Sequence, residues 1–264
     1  MKNSGINWTD HTANFWWGCQ KVSEGCRNCY AETLSKRYGK QIWGPPKVTD
    51  REYKSGIWKD IVKWDAEAGA EGVRRRVFVS SMSDFLEYHP LIEDWRERAK
   101  RVIRDLKNLD VLILTKRPEN AEWMLSDWYE DFPAHVWVGT TVENQKAEET
   151  RIGSLLNIPA KIHFLSVEPM LEKIDLDLRG RNYGIDFPTW SQEIDWVICG
   201  GESGPGCRPF EWDWARDLRD QCKDAGVAFW MKQGGGHPNK RHELHDIPED
   251  LRIRELPKGG EDVD

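Results

Sequence analysis

The chain has 264 residues, with 38 Lys and Arg against 45 Asp and Glu and a formal net charge of -7. That length suits one large α/β barrel or two small domains, and the acidic balance gives no global pull onto nucleic acid while leaving room for a local basic patch. No run of about 18 apolar residues exists, so no membrane span is expected; the polar N-terminus lacks a signal peptide's apolar stretch, which makes the cytoplasm the default location.

In chain order, a possible first strand covers Ile6–Thr9. A loop at about 16–30 follows, carrying Cys19, Cys26 and Cys29, and residues 30–38 read as a helix. Six apolar runs then recur, at 76–81, 111–117, 136–141, 162–168, 196–202 and 228–233. Short continuous apolar runs fit strands buried on both faces. Helical patterns separate them. Residues 91–107 place Leu91, Ile92, Trp95, Ala99, Val102, Ile103 and Leu106 on one side. Residues 119–128 and 143–156 are shorter candidates, and 211–225 ends at Gly226, a good C-terminal stop. The alternation predicts an α/β fold: a full or partial (β/α) barrel of about six to seven parallel strands. It fills residues 1–236 as one domain, leaving 237–264 as a polar C-terminal extension.

Each apolar run ends in polar residues. Ser80, Ser81 and Asp84 follow the first; Lys116 and Arg117 end the second. Thr140 and Glu143, then Ser166 and Glu168, then Glu202, then Lys232 and Gln233 end the others. In a (β/α) barrel such ends converge on one mouth, where active sites are built. Ser80, Ser81, Asp84, Lys116, Thr140, Glu143, Ser166, Glu168, Glu202 and Lys232 are therefore the candidate cofactor-binding residues. Polar ends also arise simply because strands stop where loops begin. The acids could equally be structural partners of Lys116, Arg117 and Lys232.

Six cysteines are too sparse for a disulfide scaffold, and three of them lie within eleven residues, which points to metal or redox chemistry. Their spacing is C-x6-C-x2-C. Thiolates suit zinc and iron–sulfur clusters. Three cysteines on a [4Fe–4S] cluster leave one iron open to an outside ligand, the arrangement needed to bind and reduce S-adenosylmethionine. Zinc is the competitor, closed by His11 or a distant cysteine; three buried cysteines without metal are the third possibility. The aromatic run Phe15-Trp16-Trp17 could shield a cluster from water or stack a flat ligand. His237, His242 and His245 form a loose group with weak metal spacing.

Several stretches resemble the phage Gp37/Gp68 family: Asn7-Trp8-Thr9, Trp17-Gly18-Cys19, Gly25-Cys26-Arg27-Asn28-Cys29-Tyr30-Ala31-Glu32, Leu114-Thr115-Lys116-Arg117-Pro118-Glu119-Asn120, Leu165-Ser166-Val167-Glu168-Pro169 and Gly200-Gly201-Glu202-Ser203. The resemblance runs in order from about residue 5 to 235. It implies a phage or prophage setting and little about substrate. The three cysteines and the barrel pattern also resemble radical-SAM proteins. There a Gly-Gly-Glu motif after the second strand holds the methionine amino group, whereas Gly200-Gly201-Glu202 follows a late strand here. Ser80 to Asp84 occupies the second-strand position instead.

The expected function is thus a radical S-adenosylmethionine-type enzyme. A [4Fe–4S] cluster on Cys19, Cys26 and Cys29 generates a 5′-deoxyadenosyl radical that acts on an unknown substrate, with a nucleotide or nucleic acid plausible. An electron donor is the implied partner. The alternative is a non-catalytic zinc or iron–sulfur module that binds nucleic acid or a protein.

Overall fold

A computed structural model describes residues 1–178, 194–238 and 241–259. The chain divides into two compact units, one up to Trp137 and one from Val138 onward. In the first unit, the apolar run Val77-Phe78-Val79 is buried throughout and forms the C-terminal part of β4 (Arg75–Val79). It pairs in parallel with β1 (His11–Ala13) on one side and β5 (Leu109–Thr115) on the other. The first strand is therefore His11–Ala13 and not Ile6–Thr9. Thr9 reaches β4 through its side chain instead: its hydroxyl donates to Arg76 O and accepts from Phe78 N. A side chain that takes the ladder's partners ends the regular pairing there.

Between β1 and β4 the chain makes a long excursion. It contains β2 (Trp16–Trp17), α1 (Tyr30–Arg37), β3 (Glu52–Tyr53) and α2 (Ile57–Glu71). β2 and β3 pair antiparallel as a separate two-stranded sheet. Helix α2 was not among the expected elements, although Ile57, Trp58, Ile61, Trp64 and Ala68 recur at helical spacing and are all buried. Helix α3 (Glu93–Asp105) falls within the expected 91–107 and buries Ala99 and Ile103, while Leu91 is exposed. The expected helix at 119–128 shrinks to α4 (Ala121–Met124), flanked by 3-10 turns at Pro118–Asn120 and Ser126–Trp128. These turns bury Met124, Leu125 and Trp128 together.

β6 (Val136–Thr141) is buried along its whole length and leads into the second unit. There α5 (Gln145–Leu156) is capped by Asn144, whose side chain accepts from Ala147 N at 2.9 Å. β7 (His163–Val167), β8 (Trp196–Gly200) and β9 (Ala228–Gln233) pair in parallel succession. Helix α6 (Trp212–Ala225) stops at Gly226, which adopts φ +72. The sheet order is β1-β4-β5-β6-β7-β8-β9, seven strands in chain order with β1 and β9 as the two end strands. This is the α/β fold expected, in the partial form of a (β/α) barrel. The C-terminal extension packs back on β9: Met231 N donates to Ile253 O, and Ile247 and Leu251 are buried. No helix among the described residues is long and apolar enough to cross a membrane.

Candidate functional site

The cysteine loop follows β2 and opens at Gly18, whose φ of +114 favours glycine. A Cβ there would stand 2.6 Å from Ile42 O, so the backbone path itself requires the missing side chain. Gly18 N donates to Met82 O, Cys19 O accepts from Gly44 N, and Tyr30 OH donates to Ser81 O at 2.7 Å. The loop is thus stitched on one side to the turn after β4 and on the other to the segment before β3. Cys19, Cys26 and Cys29 are all half-buried, and none forms a disulfide. Cys29 is the residue preceding α1; its side chain makes no capping hydrogen bond, and the nearby amides of Glu32 and Ala31 pull its thiol down. Cys26 lies near enough to Cys29 to act on it electrostatically, and so does Lys116.

Beneath Cys19 lies a buried charge network built from three elements. Arg117, just past β5, donates to Asp84 Oδ2 at 2.7 Å and to Gln20 O at 2.6 Å, and its guanidinium stands 3.8 Å from the Cys19 sulfur. Glu87 accepts from Gln20 N at 2.7 Å and is held by two bonds from Arg51, at 3.0 and 2.7 Å. Arg51 spends its remaining donors on Ile42 O, Gly44 O, Asp50 O and Thr49 Oγ1. Paired, hydrogen-bonded charges of this kind are the form in which burial of ions is tolerated. Burial pushes the Cys19 thiol up, reinforced by Glu87 and Asp84, and Arg117 only partly offsets this. Burial likewise raises Cys29 against the pull of the helix amides.

Asp84 is where the sequence places it, at the turn after β4, but its oxygens are occupied by protein donors. Leu86 N and Thr115 Oγ1 reach Oδ1, while Lys116 N and Arg117 reach Oδ2. Burial would push its carboxyl up; Arg117 and these bonds hold it below the usual aspartate value. Its role is to orient Arg117. Arg117 in turn pairs with Asp84 and not with the neighbouring Glu119. Ser81 accepts from Asn14 through its hydroxyl. Ser80 differs from all of these. It is 4% exposed, adopts φ +77, and its buried hydroxyl has no hydrogen-bond partner among the described residues. A strained residue with an unmet buried hydroxyl is the kind of feature that marks a ligand site. Lys116, two strand positions away across β4 and β5, is half-buried; among the described residues its ammonium makes no hydrogen bond or ion pair.

In the second unit the candidate residues fall into separate pairs. Glu143 is fully buried against Arg151 at 2.7 Å. Glu168 takes Lys232 at 2.5 Å and Gln233 at 3.3 Å. Glu202 is clamped by Arg208 at 2.6 Å. Thr140 and Ser166 are buried within β6 and β7. The reading of these acids as structural partners of cations therefore holds for Glu168 with Lys232, while Glu143 and Glu202 use arginines close in sequence.

The aromatic run divides. Phe15 and Trp16 are core residues, packed on Trp58 and Phe85. Trp17 is half-buried, with the Lys54 ammonium 3.6 Å above its ring. His11, the candidate fourth zinc ligand, instead packs on Trp64 and accepts from Asn3 N. Among the described residues no three His, Cys, Asp or Glu side chains are gathered as a metal-binding group. Three thiols on one loop are a donor type that suits an iron–sulfur cluster; the guanidinium at Cys19 and the helix amides near Cys29 only partly offset the burial that keeps both thiols raised. Arg51 and Glu87 were outside every sequence motif. The only signal for Glu87 is a charge ending the apolar run Phe85-Leu86.

The model of a family of unknown function, DUF5131, matches residues 3–256. The chain belongs to that family. The match spans both units of this DUF5131 chain, from before β1 to the segment packed on β9. No curated protein and no solved structure matches it.

Proposed function

We propose that this protein is a radical S-adenosylmethionine-type enzyme of the cytoplasm, with a [4Fe–4S] cluster held by Cys19, Cys26 and Cys29 and a nucleotide or nucleic acid as substrate. One observation carries the reading: a loop of three free cysteines is docked by Glu87 and Arg117 onto the ends of β4 and β5, beside a Ser80 hydroxyl and a Lys116 ammonium that have no partner among the described residues. Bound there, the cluster would supply the electron that cleaves the S-adenosylmethionine sulfonium. The protein's part is to bind and orient. Lys116 offers a point charge for a carboxylate, and Ser80 offers a hydroxyl in fixed geometry. Arg117 reaches both the Cys19 sulfur and the Gln20 carbonyl, and Asp84 keeps Arg117 from turning away. The resemblance to the phage Gp37/Gp68 family supports a phage or prophage setting, where nucleic-acid modification is a natural task.

The test is anaerobic purification, iron and sulfide analysis, and EPR of the reduced protein with and without S-adenosylmethionine. About four irons per chain and a spectrum altered by the cofactor are expected. Replacing Cys19, Cys26 and Cys29 together by Ala should abolish iron binding. Stoichiometric zinc, or a cluster indifferent to S-adenosylmethionine, sinks the proposal in favour of a binding module.

A further inference from the structure

Charge is unevenly spread along this chain. Residues 17–54, the excursion that carries the cysteine loop, hold eight Lys and Arg against four Asp and Glu, a net of +4 in a protein of net -7. With Arg51 buried on Glu87 set aside, the remaining seven cations against four acids leave a net of +3 outside. Glu32 is shared by Lys21 and Lys36, both at 2.7 Å, and Glu52 is shared by Lys40 and Lys54. Each acid thus neutralises only half of its partners' charge. Arg51 is internal and committed to Glu87. Arg27, Arg37 and Lys47 are exposed and, among the described residues, form no ion pair. Two large aromatic side chains stand out from the same segment: Tyr30, 54% exposed, and Tyr38, 62% exposed. Tyr30 is no loose surface ring. Its hydroxyl is tied to Ser81 O, so the ring is fixed in place beside Cys29.

We infer that the 17–54 excursion is a binding surface for single-stranded nucleic acid, with Arg27, Arg37 and Lys47 on the phosphates and Tyr30 and Tyr38 as stacking platforms. Cations that track a backbone, with aromatic faces between them, are the sequence-tolerant way to hold a single strand. A locally positive surface on an acidic protein also directs a polyanion to this segment and away from the rest, which carries a net of -11. A base stacked on Tyr30 lies next to Cys29, so the surface delivers its ligand to the cysteine loop. The inference names the substrate class of the reaction proposed above and rests on that reading only for the chemistry performed.

The experiment is fluorescence anisotropy of a fluorescein-labelled single-stranded oligonucleotide, titrated with the anaerobically purified full chain at increasing salt. Binding that weakens steeply with salt is expected. The variant R27Q/R37Q/K47Q should bind about tenfold or more weakly, and its log–log salt slope should fall by about 2, at about 0.7 per lost phosphate contact. Y38A should weaken binding with the slope unchanged, because stacking displaces no counterions. The control R101Q/K146Q/K223Q removes the same charge from exposed sites elsewhere and should change affinity less than about twofold. Equal losses in both triple variants, no binding by the native chain, or tighter binding of the matching duplex each overturn the inference. Iron content is measured on the same samples. Native iron with no oligonucleotide binding refutes this surface and leaves the cluster proposal standing; binding without iron does the reverse.

Discussion

At the residue scale, the cysteine loop depends on groups that make no direct claim to chemistry. Arg51 is fully buried and donates through every nitrogen it has, two of those bonds reaching Glu87. Removing one partner of such a pair strands the other, at a typical cost of about 3–5 kcal/mol. Arg51→Met should therefore lower unfolding free energy by about that amount in urea titration; a loss below about 1 kcal/mol would mean that Glu87 is satisfied without it. His163 gives a second prediction, in the other unit. It is fully buried on β7, one ring nitrogen meets Ile158 O, the other has no partner among the described residues, and burial lowers its pKa to about 4. A histidine depressed in the folded state takes up protons on unfolding, so its contribution is complete above the unfolded value of about 6.5 and declines as pH falls toward 4. Between pH 7 and pH 5 the native chain should lose about 2 kcal/mol from this group. His163→Gln should show a pH dependence flatter by that amount, and an unchanged slope would assign the acid lability elsewhere. Little of this was legible beforehand. Arg117 and Asp84 stood out as charges at the ends of apolar runs, but nothing local indicated that they would meet each other and Cys19.

At the element scale, the loop from Gly18 to Cys29 is positioned by backbone more than by side chains. Gly18 works at φ +114 with the Ile42 carbonyl where a Cβ would go. Gly18→Ala must move one or both, and strain of this kind costs about 1–3 kcal/mol. The expected result is a lower denaturation midpoint together with reduced iron content; full stability would show that the path of the loop tolerates a side chain. The expected boundaries at 30–38, 143–156 and 211–225 agree closely with α1, α5 and α6 because caps and stops are local signals, Asn144 and Gly226 among them. Helix α2 lies outside the expected elements although its apolar spacing is regular, because it sits inside the excursion between β1 and β4 and not between two of the apolar runs. The first strand begins at His11, a few residues beyond the expected Ile6–Thr9, because Thr9 satisfies β4 through its hydroxyl and a side chain's choice of partner has no sequence signature.

At the scale of the whole molecule, the sheet order is simply the chain order, β1-β4-β5-β6-β7-β8-β9. Repeated apolar runs divided by amphipathic helices admit few other arrangements, since parallel neighbours need crossovers and those crossovers have one hand. The separation of charge belongs to this scale as well: a cationic excursion set in an acidic chain is a property of composition by segment. The sequence by itself therefore determined the α/β class, the parallel strands and the three-cysteine loop, because burial on two faces, helical period and thiol spacing are written within short stretches. Tertiary structure alone decided which charges pair. Arg117 meets Asp84 across 33 residues and Arg51 meets Glu87 across 36. Among the described residues it also left the Ser80 hydroxyl without a partner and Lys116 without a counter-ion. Such pairings follow from the register of β4 against β5 and the docking of the excursion, and no short stretch of sequence encodes them.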